Sequence, residues 1–306
     1  MQQDSQKEKS MSTARRLDRL YEEAETVCFG SRSRMVLMSD CHRGVANQGD
    51  NFLKNQQLVF AALSFYNDRK FTYVELGDGD ELWENKKLSR IVEAHSDVFW
   101  LMSCFYRDDR FLMLYGNHDR VKENGKYLKR HCERYYCDSV DCERELFCGI
   151  RAREGVRLTD RETGDEILLV HGHQGDLFND TFWKFSRFLV RHLWRRLELF
   201  GVLDPTSAAK NYKRKKRTEK RLSGWADAHH VMVIAGHTHR PVLPTPGESL
   251  YVNDGSCVHP RCITAIEIDG GMITLVKWCT LTRADRSLYV GREVLAGPFR
   301  LRDYFR

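Results

Sequence analysis

Short apolar runs recur along this chain of 306 residues, and each breaks off into polar or glycine-rich sequence. The runs at 35–38, 71–76, 110–115, 167–170, 231–235 and 250–252 have the length and punctuation of buried strands. Between the first three, apolar residues fall at helical spacing. One such stretch spans about 51–68, with Phe52, Leu53, Leu58, Val59, Ala62, Leu63 and Tyr66 on one side, and another spans about 87–107. Strands alternating with helices predict an α/β domain whose binding site gathers outside the carboxyl ends of the strands. Two hairpins are predicted, one around 161–165 and one between 262–268 and 272–278 across Asp269-Gly270-Gly271. Leu17, Leu20, Tyr21 and Ala24, spaced helically among charges, predict an amphipathic helix laid on the domain. From Phe178 to about Trp225 the chain reads as long helices rich in Trp, Phe, Leu and Arg, with a boundary at Asp204-Pro205. That stretch is too long for a connection and predicts an inserted helical cap.

The strand ends carry the chemistry. The first run leads into Asp40-Cys41-His42-Arg43. Residues two apart on an extended backbone share a face, so Asp40 and His42 are expected to point the same way. The second run ends in Gly77-Asp78-Gly79-Asp80-Glu81, the third in Gly116-Asn117-His118-Asp119, the fourth in His171-Gly172-His173 and the fifth in Gly236-His237-Thr238-His239-Arg240. One such turn is an ordinary loop, whereas this repetition supplies enough oxygen and nitrogen donors for two divalent metals. Either His171 or His173 suits a ligand role. His171 is preferred because it lies immediately at the strand end, which leaves His173 to orient a ligand or touch substrate. His95 has no ligand-like neighbour and reads as structural.

These five blocks, in this order over roughly 34–280, resemble the calcineurin-like metallophosphoesterases. The resemblance implies a two-sheet β-sandwich flanked by helices in four layers. With it, the chain divides into a helical extension at 1–33, a catalytic domain at 34–283 with the cap inserted at about 177–227, and a C-terminal extension at 284–306. Asp40, His42 and His239 are implied to bind one metal, and Asn117, His171 and His237 the other, with Asp78 bridging them. The mixed donor set suits Mn²⁺, with Fe or Zn²⁺ as alternatives. The implied activity is hydrolysis of a phosphomonoester or phosphodiester by a metal-bridging hydroxide. His118 would protonate the leaving oxygen or stabilise phosphate charge, and Asp119 would hold its ring. Arg43 and Arg240, each adjoining a ligand, and His173 are the candidates for substrate contact. A narrower likeness is to the UDP-diacylglucosamine hydrolases, carried by Gly77-Asp78-Gly79-Asp80-Glu81-Leu82-Trp83 and by the aromatic and basic insertion. It implies the alternative of pyrophosphate hydrolysis on a nucleotide-linked substrate. Two residues depart from that pattern: His173 replaces the aspartate of His-Gly-Asp, and His118 stands where arginine is typical.

Composition narrows partners more than chemistry. No run is long enough to span a bilayer and the first thirty residues begin with polar sequence, so a cytoplasmic location and reduced thiols are expected for the ten cysteines. Cys132, Cys137, Cys142 and Cys148 cluster without the Cys-x-x-Cys pair of zinc knuckles, so no structural metal is expected there. The formal charge of +6 is unevenly spread. Lys210, Lys213, Arg214, Lys215, Lys216, Arg217, Lys220 and Arg221 form one block suited to a phosphorylated substrate, an anionic membrane surface or nucleic acid, or to a solvated helix face. A non-catalytic or nucleic-acid-binding module is the alternative of another class, and it predicts binding that falls steeply with salt. With all seven ligand positions and His118 filled, the enzyme reading is preferred.

Overall fold

The apolar runs fold into two principal sheets in the computed structural model, which describes residues 2–137, 141–175 and 212–306. One sheet has five strands: β1 (Glu25–Phe29), β8 (Gly155–Asp160), β9 (Glu166–Val170), β10 (Met232–Ala235) and β11 (Tyr251–Asn253), side by side in that order. The other joins β2 (Arg34–Met38), β3 (Thr72–Leu76), β4 (Phe111–Leu114) and β7 (Ala152–Arg153) in parallel, then extends antiparallel from β2 through β12 (Cys262–Asp269), β13 (Met272–Thr282) and β14 (Leu288–Arg300). A separate hairpin pairs β5 (Arg134–Cys137) with β6 (Cys142–Glu145). Helices α1 (Gln2–Glu23), α2 (Gln56–Asp68), α3 (Leu88–Ala94), α4 (Ser96–Arg107), α5 (Gly125–His131) and α6 (Tyr212–His229) complete the mixed α/β architecture of the described residues. None of these helices is long and apolar enough to cross a membrane.

Strand periodicity explains why the runs are apolar throughout rather than alternating. Leu37, Val74, Leu76 and Leu114 share one core with Val156, Leu158, Leu168, Val170, Met232 and Ile234 of the other sheet. Their chain neighbours Val36, Met38, Tyr73 and Met113 pack with Leu58, Ala62, Val98 and Phe105 of α2 and α4. Both faces of β2 and β3 are therefore covered, as in parallel strands buried on each side. Each such side chain contributes roughly 1.5–3 kcal/mol by leaving water. Leu17 and Leu20 of α1 and Leu222 and Trp225 of α6 join the first core, so the amphipathic N-terminal helix does lie on the domain.

The structure departs from the sequence expectations in three places. The stretch expected as one helix over 87–107 is two, because His95 leaves helical geometry at φ −127° and ψ 37°. Its buried ring binds Asp50 Oδ2 at 2.8 Å and Gln56 Oε1 at 3.1 Å, and Asp50 in turn accepts the Ala46 and Phe52 N–H groups. Residues 25–29 form an edge strand paired parallel with β8. Residues 288–300, which carry no functional signal, form β14, paired antiparallel with β13 from Thr282↔Leu288 to Met272↔Arg300, with register shifts between Ile273 and Val276. The expected cap falls largely outside the described residues, which resume at α6 with the basic block exposed at Lys216, Arg217 and Lys220.

Candidate metal centre

The loops after β2, β3, β4, β9 and β10 meet at one point because backbone bonds continue the ladders past the strand ends. Asp40 N–H donates to Gly77 O, His42 N–H to Asp78 O and Gly236 N–H to His171 O. Five of the seven expected ligands stand in the left-handed region: Asp40 at φ 52°, His42 at 47°, Asp78 at 50°, His237 at 66° and His239 at 54°. The extended spacing expected for Asp40 and His42 is thus not what aims them; β2 ends at Met38 and two left-handed residues turn both side chains inward. Such conformations cost of order 1–3 kcal/mol each and persist where the surroundings over-determine them. Glycine is required beside them. A Cβ on Gly116 would lie 2.2 Å from Asp78 Oδ1, and one on Gly236 would lie 2.7 Å from Asp40 Oδ2.

Donor atoms crowd as they do around a shared cation. His239 Nε2 lies 2.9 Å and His42 Nε2 3.6 Å from Asp40 Oδ1, while His171 Nε2 lies 3.1 Å from Asp78 Oδ2. Ligands about 2.1 Å from one ion stand about 3 Å from each other. Asp40 Oδ1, Asn117 Oδ1 and His171 Nε2 are buried without a hydrogen bond, an arrangement that costs stability unless something else engages them. Among the described residues, three groups could hold a metal ion: Asp40, His42 and His239; Asp78, His171 and His237; and His42, Asp78 and His118. Asn117 sits beside the His118 N–H that donates to Asp78 Oδ1 at 2.7 Å.

Outer partners set the tautomers. His171 Nδ1–H donates to Leu76 O at 2.9 Å, which leaves Nε2 facing Asp78 as the nitrogen that would give up its proton to take an ion. Asp40 Oδ2 accepts from Ser39 Oγ at 2.5 Å and from His237 N–H at 2.8 Å, which leaves Oδ1 for the site. Burial opposes charge on Asp40 and Asp78, but the imidazoles of His239 and His171 outweigh it and both carboxyls sit below their usual range. Burial likewise opposes charge on His171, and the Asp78 and Asp40 carboxylates raise it to about 9.

The partially open side carries His42, His239 and His118, whose side chains are 11%, 16% and 24% exposed. His118 stacks on Trp83 with ring centroids 4.1 Å apart, and Trp83 Nε1–H donates to Asn117 O at 2.6 Å. Its Nδ1 is 2.9 Å from Glu81 Oε1, and the same carboxylate lies 3.1 Å from His42 Nδ1. Burial would depress His118; the Glu81 and Asp78 carboxylates raise it instead. Glu81 was not singled out from sequence, although the Gly-Asp-x-x-acid-x-Trp block contains it.

Several expected roles change. Asp119 does not hold the His118 ring: its oxygens accept the Gly116, Asp78 and Gly79 N–H groups at 2.7, 3.3 and 3.2 Å and pair with Lys122 at 2.7 Å, tying two ligand loops together. Arg43 is fully buried, 2.7 Å from Asp80 and 2.8 Å from Glu75, so it is not placed to meet a substrate. With Lys122 at 2.6 Å from Asp80 it completes a buried group of two cations and three carboxylates beneath the site. Such charges are tolerated in an interior only when paired. His173 is buried too, with neither ring nitrogen hydrogen-bonded, and its ring lies 5.6 Å from that of His171. Burial, then the neighbouring His171 and His237, push it well below the usual imidazole range. Arg240 is half-exposed and pairs with Glu219 of α6 at 3.0 Å.

No protein-family model matches the chain, and no curated protein matches it. Among solved structures the chain is similar to Vps29 of Chaetomium thermophilum, at 10% identity and a TM-score of 0.37, covering 86% of this chain and 96% of that one. It is also similar to a hypothetical protein from Thermus thermophilus, at 15% identity and a TM-score of 0.31, covering 85% and 99%. At these scores neither likeness bears on the activity.

Proposed function

We propose that this chain is a metal-dependent phosphoric ester hydrolase of the metallophosphoesterase kind, cleaving a phosphomonoester or phosphodiester of a small molecule in the cytoplasm. The observation that carries the reading is the Asp78 carboxylate, whose Oδ2 lies 3.1 Å from His171 Nε2 and 4.0 Å from His42 Nε2 and which belongs to two of the three candidate groups. Asp40, His42 and His239 would hold one divalent ion and Asn117, His171 and His237 the other, with Asp78 common to both. Carboxylate, amide and imidazole donors without a thiolate suit Mn²⁺, then Fe or Zn²⁺. Bound there, such ions neutralise phosphoryl charge and make a water acidic enough to attack at neutral pH. His118, engaged at Nδ1 by Glu81, offers Nε2 to protonate the leaving oxygen. Trp83 stacked on the ring and Glu81 on Nδ1 fix its orientation, and Glu81 stabilises the imidazolium. Arg240, half-exposed beside Glu219, would meet a phosphate oxygen, and His173, its ring 5.6 Å from that of His171, would orient that ligand. Two sheets that share one core support the sandwich that this reading expects.

A second reading, hydrolysis of a nucleotide-linked pyrophosphate, is favoured by the basic α6, where burial lowers Lys215 and the Glu219 and Asp40 carboxylates pull it back up. A second phosphoryl group would give this basic helix something to meet. Mn²⁺-loaded protein assayed against an aryl phosphate, an aryl diester and a nucleotide-sugar pyrophosphate separates the two. Asp78→Ala is expected to lower turnover on the preferred substrate by at least about a thousandfold. Undiminished activity in that variant, or after chelation, would overturn the two-metal reading.

A further inference from the structure

We propose that Cys262 and Cys279 form a reversible oxidation site, a cross-strand thiol pair that a peroxide converts to a disulfide. The two residues are register partners on β12 and β13. Their hairpin closes on Gly270-Gly271, whose φ values of 61° and 73° fit the two-residue turn that joins the hydrogen-bonded partners Asp269 and Met272. Hydrogen-bonded and non-hydrogen-bonded pairs alternate along an antiparallel ladder. Cys262 lies an odd number of steps from Asp269, so the cysteines occupy a non-hydrogen-bonded pair, the kind whose side chains stand closest, with Cβ atoms about 4.5–5.5 Å apart. A disulfide requires about 3.5–4.5 Å, so a small local closure suffices. Strand pairing therefore keeps the two side chains adjacent on one face before any reaction. Both thiols are free and partly exposed, unlike the buried Cys41, Cys132 and Cys257.

The surroundings also decide which sulfur reacts first. Burial raises both thiols and the Lys277 ammonium pulls each back, but Cys279 alone donates to Glu293, at 3.4 Å, which raises it further. Cys262 is therefore the better initial nucleophile. Its thiolate attacks one peroxide oxygen: the S–O bond forms, the O–O bond breaks and hydroxide leaves, with sulfur oxidised by two electrons. Cys279 then attacks the sulfenic sulfur, the S–S bond forms and the S–O bond breaks, and the oxygen departs as water carrying the thiol proton. Two thiols and one hydrogen peroxide thus give one disulfide and two waters, and a dithiol reductant reverses the change. The start of β12 is held to the segment after β11, since Asn55 Nδ2 donates to the carbonyls of Cys257, His259 and Cys262 at 2.9, 2.7 and 3.2 Å. The inference does not depend on the hydrolase reading.

The test treats the full-length protein with a small excess of hydrogen peroxide, alkylates the remaining thiols and digests with trypsin. Cleavage after Arg261, Lys277 and Arg283 separates the two cysteines. The expected product is peptide 262–277 linked to 278–283, absent after reduction and formed faster as pH rises toward the thiol range. In Cys279→Ser, Cys262 should accumulate as a sulfenic acid trapped by dimedone, and Cys262→Ser should show no linked peptide. Recovery of both cysteines as alkylated thiols while Cys28, Cys142 and Cys148 oxidise would overturn the proposal. So would linkage of either to other cysteines in equal yield.

Discussion

A single carboxylate, Glu81, reaches Nδ1 of both His42 and His118, at 3.1 and 2.9 Å, and so couples a would-be ligand to the would-be acid. Because carboxylate oxygens only accept, both rings present a protonated Nδ1 to it and turn Nε2 toward the site. Replacing Glu81 by glutamine keeps the shape and removes the charge. Glu81→Gln is expected to lower kcat about 10- to 100-fold while leaving most of the bound metal in place, as measured by steady-state kinetics alongside elemental analysis. Unchanged kcat would show that the contact does not orient His118. At this scale the residues that gather at the candidate site were legible in sequence, because donor types at strand ends are a chemical pattern. Directions were not: Arg43 adjoins His42 in sequence yet is buried on Asp80 and Glu75, since left-handed φ angles at Asp40 and His42 redirect each side chain in turn.

Between residues and whole sheets, the break between α3 and α4 follows from one buried pair. Asp50 holds His95 at 2.8 Å and also collects the N–H groups of Ala46 and Phe52, so the loop after His42 is pinned to the helix junction. Burial opposes the Asp50 charge, but the His95 hydrogen bond and the backbone donors outweigh it and its pKa is depressed. A depressed carboxyl adds stability above its unfolded pKa and loses it as pH falls through the folded one. Asp50→Asn is therefore expected to cost about 2 kcal/mol at neutral pH and to narrow its gap from the parent protein as pH drops below the ordinary carboxylate range. Urea denaturation across acid pH checks both; a constant gap would remove the linkage. The helix break was illegible in sequence because apolar spacing runs through His95 without a proline or glycine, and the cause lies 45 residues upstream in chain order. Strands β2, β3, β4, β9 and β10 were legible since burial on both faces leaves unbroken apolar runs. β14 was not, because it lies at a sheet edge with Leu288, Val294 and Leu295 exposed among Arg292, Glu293 and Arg300, and no single face reads as core.

The candidate ligands do not come from one layer. Asp40, His42, Asp78 and Asn117 follow strands of the seven-stranded sheet, while His171, His237 and His239 follow strands of the five-stranded one. Any ion that they share therefore joins the two halves of the core, and its binding energy belongs to the folded chain alone. At a hundredfold excess over Kd a ligand specific to the native state adds about 2.7 kcal/mol. With an unfolding entropy of about 2.1 cal/mol/K per residue, that corresponds to a rise in Tm of about 4 °C for one site in a chain of this length. Metal-loaded protein is expected to unfold in one transition that falls by this amount or more on chelation, with both sheets lost together. Asp78→Ala should retain the chelated protein's Tm and respond to added Mn²⁺ weakly or not at all. A shift of equal size in Asp78→Ala would place the stabilising ion elsewhere, and two separated transitions would show that the sheets are not clamped through the site.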